Sequence, residues 1–198
     1  MRRTGGILTS LPEGFRYIPD FVTADEERTL VDHLEALAFK DIKMRGVVAR
    51  RTAVHFGYDY GYDTWTIRRT DPPPPFLATL RERSAALIGQ PVDALAQVLI
   101  LRYPPGAGIG WHRDAPMFGP AVVGISLGAP AVMRLRRSGT TRGGERVALD
   151  PRSAYVIAGP ARTQWQHSVP AVNALRYSIT FRTVVEGTRR LEPSLEAS

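Results

Sequence analysis

The hydrophobic pattern divides the chain into a helical first part and a β-rich remainder. From Phe15 to Leu37 the sequence reads FRYIPDFVTADEERTLVDHLEAL. Leu30, Val31, Leu34 and Leu37 recur at helical spacing, which predicts an amphipathic helix with His33 on its flank. Thr23 and Glu26 stand in the spacing of a capping box at the start of that helix. A second helix is predicted for FLATLRERSAALIGQ, closed by Gly89 and preceded by the stiff connector TDPPPPF. Between the helices, MRGVVARRTAVHFGYDYGYDTW is basic and aromatic, has no helical period, and reads as short strands and turns.

From Pro91 onward the signals are β. DALAQVLILRY, AVVGISLG, AVMRLRR, ERVALD, SAYVIAG, QWQHSVP and ALRYSITFR are short runs rich in Val, Ile, Leu and aromatic residues, punctuated by Gly, Pro, Asn and Asp. Such spacing suits a sandwich, a barrel or a double-sheet jelly roll. The reading adopted is a mainly β jelly roll with N-terminal helices. It divides into residues 1–90 (helices and a lid packed on the barrel), 91–185 (the β core) and a flexible tail over 186–198, all within one structural domain. RSGTTRGGER reads as an exposed, basic hairpin loop.

Composition narrows the function. The chain has 198 residues, 43% of them hydrophobic, and a formal charge of +7. No apolar run is long enough to span a bilayer. The two arginines of MRRTGGILTSLPEGF are not followed by an apolar stretch, so no secretory signal is read there. Without cysteine there are no disulfides or thiolate metal sites, and a cytoplasmic, monomeric protein is expected. The positive charge points to an anionic partner, nucleic acid first.

The candidate chemistry begins at GIGWHRDAPMFG, where His112 and Asp114 stand one residue apart. A period-2 strand places both on one face, in reach of one metal. The other histidines are His33, His55 and His167. His167 lies in a β-like run that strand pairing could bring opposite the pair. Two His and a carboxylate form the facial triad of non-haem Fe(II) oxygenases. With water, the same donors also make a tetrahedral, hydrolytic zinc site. Taken alone, an HxD pattern is more often that of a hydrogen-bonded surface pair.

In RYSITFR, Arg176, Ser178, Thr180 and Arg182 alternate with Tyr177, Ile179 and Phe181. Two arginines pointing into a barrel are costly without anionic partners. A small dicarboxylate supplies them, since the planar guanidinium fork binds carboxylate through two parallel hydrogen bonds. The polar side of a solvent-facing strand is the alternative, and the upstream His/Asp/His set favours a 2-oxoglutarate site over it.

Together LRYPPGAGIGWHRD, VVGISLGAPAVMRL, QHSV and RYSITFR resemble the AlkB family of Fe(II)- and 2-oxoglutarate-dependent dioxygenases, in order from about Gln97 to Arg182. The resemblance implies a double-stranded β-helix, with iron held by His112, Asp114 and His167. It implies that Arg176, helped by Tyr103, pairs with the distal carboxylate of 2-oxoglutarate, and that Arg182 lies near the end that meets the iron. Leu101 and Ser178 depart from the family, which often has Asn at both positions, so weakened or rearranged co-substrate binding is expected, with Ser178 still in that site. The implied chemistry uses O₂ and converts 2-oxoglutarate to succinate and CO₂. It oxidises a C–H bond, often of an N-methyl group, whose hydroxymethyl product leaves as formaldehyde.

The basic, aromatic stretch occupies the place of the family's substrate lid. Arg45, Arg50, Arg51, His55, Phe56, Tyr58 and Tyr60 are therefore candidates to grip phosphates and stack on an extruded base in DNA or RNA. RRTAVHFGYDY also resembles the lid of AlkB-type proteins fused to a tRNA methyltransferase, which hydroxylate a modified wobble uridine. Packing of Phe56 and Tyr58 onto the barrel is the plainer alternative. Trp111 and Trp165 are expected in the core, on the face away from the ligands. Three readings follow: demethylation of alkylated bases in DNA or RNA; hydroxylation of a modified tRNA base, or oxidation of a protein or small molecule by the same chemistry; and a non-enzymatic jelly-roll binding module.

Overall fold

The computed structural model describes residues 11–44, 46–61 and 66–185. Its elements in chain order are β1 (Phe15–Ile18), α1 (Ala24–Glu35), β2 (Lys40–Met44), β3 (Val47–Phe56), β4 (Tyr58–Gly61), β5 (Thr66–Arg69), α2 (Ala78–Leu87), β6 (Gln97–Tyr103), β7 (Ile109–His112), β8 (Phe118–Gly128), β9 (Ala131–Arg137), β10 (Glu145–Leu149), β11 (Ala154–Ala158), α3 (Gly159–Thr163), β12 (Trp165–Val169) and β13 (Arg176–Val184). A seven-stranded sheet has the order β1-β11-β8-β13-β6-β3-β2, and a four-stranded sheet the order β10-β9-β12-β7. The hairpin β4–β5 stands apart as a third, two-stranded sheet. Facing antiparallel sheets with long crossovers are the jelly roll the sequence predicts. The predicted tail lies outside the described residues, as does Arg45.

Helix α1 starts where its capping box closes. Thr23 Oγ1 accepts from the Glu26 amide at 3.1 Å, and the Glu26 carboxylate accepts from the Thr23 amide at 2.7 Å. Asp25, Glu26 and Glu27 suit the positive end of the helix dipole. Leu30 and Leu34 turn inward, while His33 sits on the exposed flank and stacks on Phe76 at 4.6 Å. Arg83 of α2 reaches Glu26 at 3.0 Å and ties the helices together.

These helices cover the outside of the large sheet, so the sheet is buried on both faces. On β6, Val98 and Ile100 join the helix-side core with Leu34, Leu77, Ile125 and Phe181. Leu99, Leu101 and Tyr103 join a second core between the sheets, with Met133, Leu135, Leu149 and Ile157. The same double burial holds for β13. Its apolar residues enter the helix-side core, while Arg176, Ser178, Thr180 and Arg182 are buried on the inner side. The lid segment belongs to this architecture, because β3 pairs with β6 over Thr52–Phe56.

Three elements go beyond the sequence reading. The FRYI tetrapeptide forms β1, which closes the sheet edge by pairing Phe15 with Ile157. The residues before His112 form β7, and a short helix, α3, precedes β12. Removing the cap with Thr23→Ala should lower unfolding stability by about 1 kcal/mol. Opening the helix-side core with Phe181→Ala should cost about 3–5 kcal/mol. Urea denaturation followed by circular dichroism measures both.

Candidate active site

The inner faces of the two sheets form a narrow cavity of about 40 Å³. Strand pairing delivers its histidines. In the register of β12 with β7, His167 is the direct partner of His112, and their rings lie 4.2 Å apart. The next pair is Val169 with Ile109: two residues on β12 oppose three on β7. This bulge resets the alternation, so Ile109 and His112 both line the cavity although they are three residues apart. It lies where β7 presses closely on β12: a side chain at Gly108 would meet the Val169 carbonyl oxygen at 2.7 Å. The His112 Nδ1 donates to the Gly110 carbonyl at 2.8 Å in the tautomer that leaves Nε2 a lone pair.

Asp114 reaches the cavity differently from the expected shared strand face. It lies two residues past the end of β7, in a loop fastened by Arg162. That guanidinium donates to the carbonyls of Asp114 (2.9 Å), Ala115 (2.8 Å) and Phe118 (3.2 Å). The Asp114 carboxylate points inward, with Oδ1 bonded to Arg182 and Oδ2 3.8 Å from His167 Nε2. Burial works against its charge, but Arg182, His167, His112 and Arg162 outweigh burial and hold its pKa well below the usual carboxylate range. Burial, reinforced by His112, pushes His167 down to about 3, and burial also lowers His112. Two neutral imidazoles and one carboxylate are the protonation states a divalent cation requires. Among the described residues no three such groups stand in a metal's ligand geometry, and Arg182 holds one oxygen of Asp114.

The arginines line the opposite wall. Arg176 is 1% exposed, donates to Ser126 Oγ at 2.8 Å and lies over the Tyr103 ring at 5.1 Å. Arg182 donates to Gln97 at 3.2 Å and lies over Phe118 at 4.7 Å. The Nε of each arginine and the Gln97 amide nitrogen are buried with no hydrogen-bond partner among the described residues. Arg51, Arg83 and Arg162 share this state of Nε, but Arg176 and Arg182 are the arginines that line the cavity, where a carboxylate ligand would meet them. Leu101 and Ser178 are direct partners across β6 and β13, and both line the cavity.

Tyr155 and Ser126 complete the polar wall, and the sequence reading missed both. The Tyr155 hydroxyl is hydrogen-bonded to Ser178, and burial raises its pKa. Its ring lies across Gly124, its direct partner on β8, where a Cβ would come within 2.1 Å of Cζ. The available signal was Gly124 itself, a glycine inside an apolar strand that marks the close approach of another group.

The lid candidates separate by face. Arg51 and His55 turn to the inner side with Ala53. Arg51 is buried and donates to the Gly108 carbonyl at 3.2 Å, so it braces the start of β7 and is not a free phosphate grip. His55 is half-buried, with Nδ1 3.4 Å from Asp59. Burial lowers its pKa ahead of the opposing pull of Asp59. Arg50 is exposed on the other face, where Phe56 packs into the helix-side core and is unavailable for stacking on a base. Tyr58 is buried with Met117 and Phe118, under Arg69 at 5.8 Å. The side chain of Tyr60 lies outside the described residues.

Both tryptophan expectations need correction. Trp111 does face away from the cavity, but that face is solvent, and the residue is 36% exposed. Trp165 is two residues from His167, hence on the same face, and packs half-buried against the inner core.

Comparison with known proteins agrees with this geometry. Residues 14–182 match the 2OG-Fe(II) oxygenase superfamily. An alkylated DNA repair protein ALKBH8 homolog of Arabidopsis thaliana is 29% identical over 181 residues, covering 79% of this chain and 51% of the relative. The tRNA (carboxymethyluridine(34)-5-O)-methyltransferase alkbh8 of Xenopus tropicalis is 30% identical over 168 residues, covering 81% of this chain and 26% of the relative. The alpha-ketoglutarate-dependent dioxygenase AlkB of Salmonella typhimurium is 34% identical over 101 residues, covering 44% of this chain and 45% of the relative. The solved structure of OsALKBH1 superimposes with a TM-score of 0.67 at 15% identity, covering 87% of this chain and 98% of that one, and shares the fold. The chain belongs to the 2OG-Fe(II) oxygenase superfamily and, within it, to the AlkB family. That family is one of enzymes, with Fe(II) as metal and 2-oxoglutarate as co-substrate. The chain spans about half the length of the Arabidopsis relative and a quarter of the Xenopus one.

The close seat of Tyr155 on Gly124 is directly testable. Gly124→Ala should push the ring off the cavity wall, at an overpacking cost of about 1–3 kcal/mol. Calorimetric titration should show 2-oxoglutarate binding at least about tenfold weaker, the equivalent of about 1.4 kcal/mol.

Proposed function

We propose that the chain is an Fe(II)- and 2-oxoglutarate-dependent dioxygenase that oxidatively demethylates alkylated bases in DNA or RNA. The observation that carries this reading is the convergence on one cavity of His112, Asp114 and His167 with two buried arginines whose Nε donors lack partners. In this reading the two imidazoles and the carboxylate hold the iron. Arg176, Tyr103 and Ser178 hold the distal end of 2-oxoglutarate, and Arg182 lies beside the end that meets the metal. When bound, the ferrous ion supplies O₂ activation coupled to loss of CO₂ from the keto acid.

The chain's own groups do the rest. Val122, Met133 and Ile157 keep water off the reacting centre. Gly110 fixes the His112 tautomer, and Arg162 fixes the Asp114 loop. Ser178 and Tyr155 supply polar contacts on the wall where Leu101 offers none. The net charge of +7 and relatives named for alkylated DNA repair and for a tRNA modification support a nucleic-acid substrate. The relative named for carboxymethyluridine(34) in tRNA favours a second reading, hydroxylation of a modified tRNA base.

Succinate formation and mass spectrometry across methylated and modified DNA and RNA oligonucleotides test the proposal. Turnover on at least one modified base is expected. No succinate above background on any nucleic acid, with iron bound, would refute the substrate class. His112→Ala and Asp114→Ala should each abolish turnover. Arg176→Ala should raise the KM for 2-oxoglutarate about ten- to hundredfold, the equivalent of about 1.5–3 kcal/mol for a charge-assisted bond. Arg162→Met should weaken anaerobic Fe(II) or Mn(II) binding by about 10–100-fold while the far-ultraviolet spectrum is kept, because it positions a ligand without being one.

A further inference from the structure

The outer face of the four-stranded sheet carries a second concentration of chemistry, turned away from the cavity. Its inward positions, Met133, Leu135, Val147 and Leu149, are buried. Of the alternate positions, Arg146 and Ala148 on β10, Val132 and Arg134 on β9 and Trp111 on β7 reach solvent, Arg136 on β9 and Gln166 on β12 are half-buried, and Ser168 on β12 is buried. Register aligns them into rows. Arg146 pairs with Arg134, and Arg136 pairs with Gln166. No Asp or Glu occupies an outward position on these four strands. Among the described residues, no carboxylate lies within 4.0 Å of Arg134, Arg136 or Arg146. The contrast with the helix side is sharp, since Arg28, Arg81, Arg83 and Arg152 are all ion-paired there.

Part of this face is held in place. The Arg136 guanidinium lies over the Trp111 ring at 4.2 Å, and its Nε donates to Gln166 at 3.0 Å. The neighbouring Arg137 is held by Gln164 at 2.9 Å. An arginine fixed by an amide and stacked on an indole has lost little freedom left to lose on binding, and its remaining N–H donors can serve a ligand. Arg134 and Arg136 are two residues apart on one strand, so their stems stand roughly 6.6–6.8 Å apart, and Arg146 is on the adjacent strand roughly 4.8 Å away. Closely repeated cations beside an exposed aromatic ring suit a polyanion whose charges alternate with flat, stackable groups.

We propose that this face binds single-stranded nucleic acid. Arg134, Arg136 and Arg146 contact backbone phosphates, and Trp111 offers its ring edge and free face to a base. Trp111 immediately precedes His112, so the surface lies on the reverse of the strand that carries a proposed metal ligand. A strand bound here is held alongside the catalytic cavity by contacts independent of the modified base. The inference rests on the proposed nucleic-acid substrate and extends it to nucleotides outside the cavity.

The test is fluorescence anisotropy of the full-length chain with a labelled, unmodified single-stranded oligonucleotide over a salt series. The variant is Arg134→Gln/Arg136→Gln/Arg146→Gln. Affinity at low salt should fall at least tenfold. The slope of log K against log salt should flatten by about 2, since each single-strand phosphate contact contributes about 0.7. If the triple variant melts well below the parent, Arg134→Gln and Arg146→Gln are measured singly, each expected to flatten the slope by about 0.7. Parent and variant binding with the same affinity and slope would overturn this surface and leave the proposed substrate standing. A parent that binds no oligonucleotide at low salt would also overturn this surface, while the substrate class stands or falls on succinate formation with the modified oligonucleotides.

Discussion

Two guanidinium groups and one carboxylate share a space between the sheets that is largely closed to water, and this imbalance governs the site. Removing an ion from water costs several kcal/mol unless good partners replace the solvent. Asp114 is bonded to Arg182 and lies beside His167, while among the described residues Arg176 meets the hydroxyl of Ser126 and the face of Tyr103. The protein therefore keeps an excess of positive charge inside. A divalent cation arriving alone would deepen that excess, whereas a dicarboxylate arriving with it would offset the added charge. On this electrostatic ground, metal and keto acid should favour each other's binding.

The fold makes such an interior tolerable by keeping the polar wall stiff. The strand that carries both arginines lies between β8 and β6 and is bonded to both along its length. Its other face is sealed by the helices, so Tyr177, Ile179 and Phe181 anchor it from behind. Both arginines are buried, Arg176 at 1% exposure and Arg182 at 8%. Strand β3 extends the same sheet, so His55 is set opposite Leu99 by backbone pairing.

Much of this was legible in the sequence. Short apolar runs separated by turn residues mark the strands of the β core, and alternation within RYSITFR separates the arginines from the core residues. What alternation cannot supply is the identity of each face's environment. Trp111 is turned away from His112 as expected, but the outside of the small sheet is water. Arg51 and Phe56 read as one group of lid residues, yet their odd separation sends one inward to brace β7 and the other into the helix-side core. The bulge in β7 and the departure of Asp114 from the strand depend on a partner 55 residues away in the case of His167, which local spacing does not encode. Tyr155 was hidden for a similar reason: its seat is a glycine on another strand.

The bulge also bears on where the chain's length is constrained. The 138–144 loop between β9 and β10 is exposed, but its ends are tied down, with the Ser138 amide donating to the Gln164 carbonyl at 2.8 Å and Gly144 seated against Leu135. Between Ile109 and His112 the count is fixed. Loss of a single residue there would make β7 a regular strand with Ile109 and His112 still on one face, but it would take the Gly110 carbonyl from its place two residues before the imidazole it holds. The extra residue of the bulge thus serves the orientation of one imidazole and not the facing of the strand.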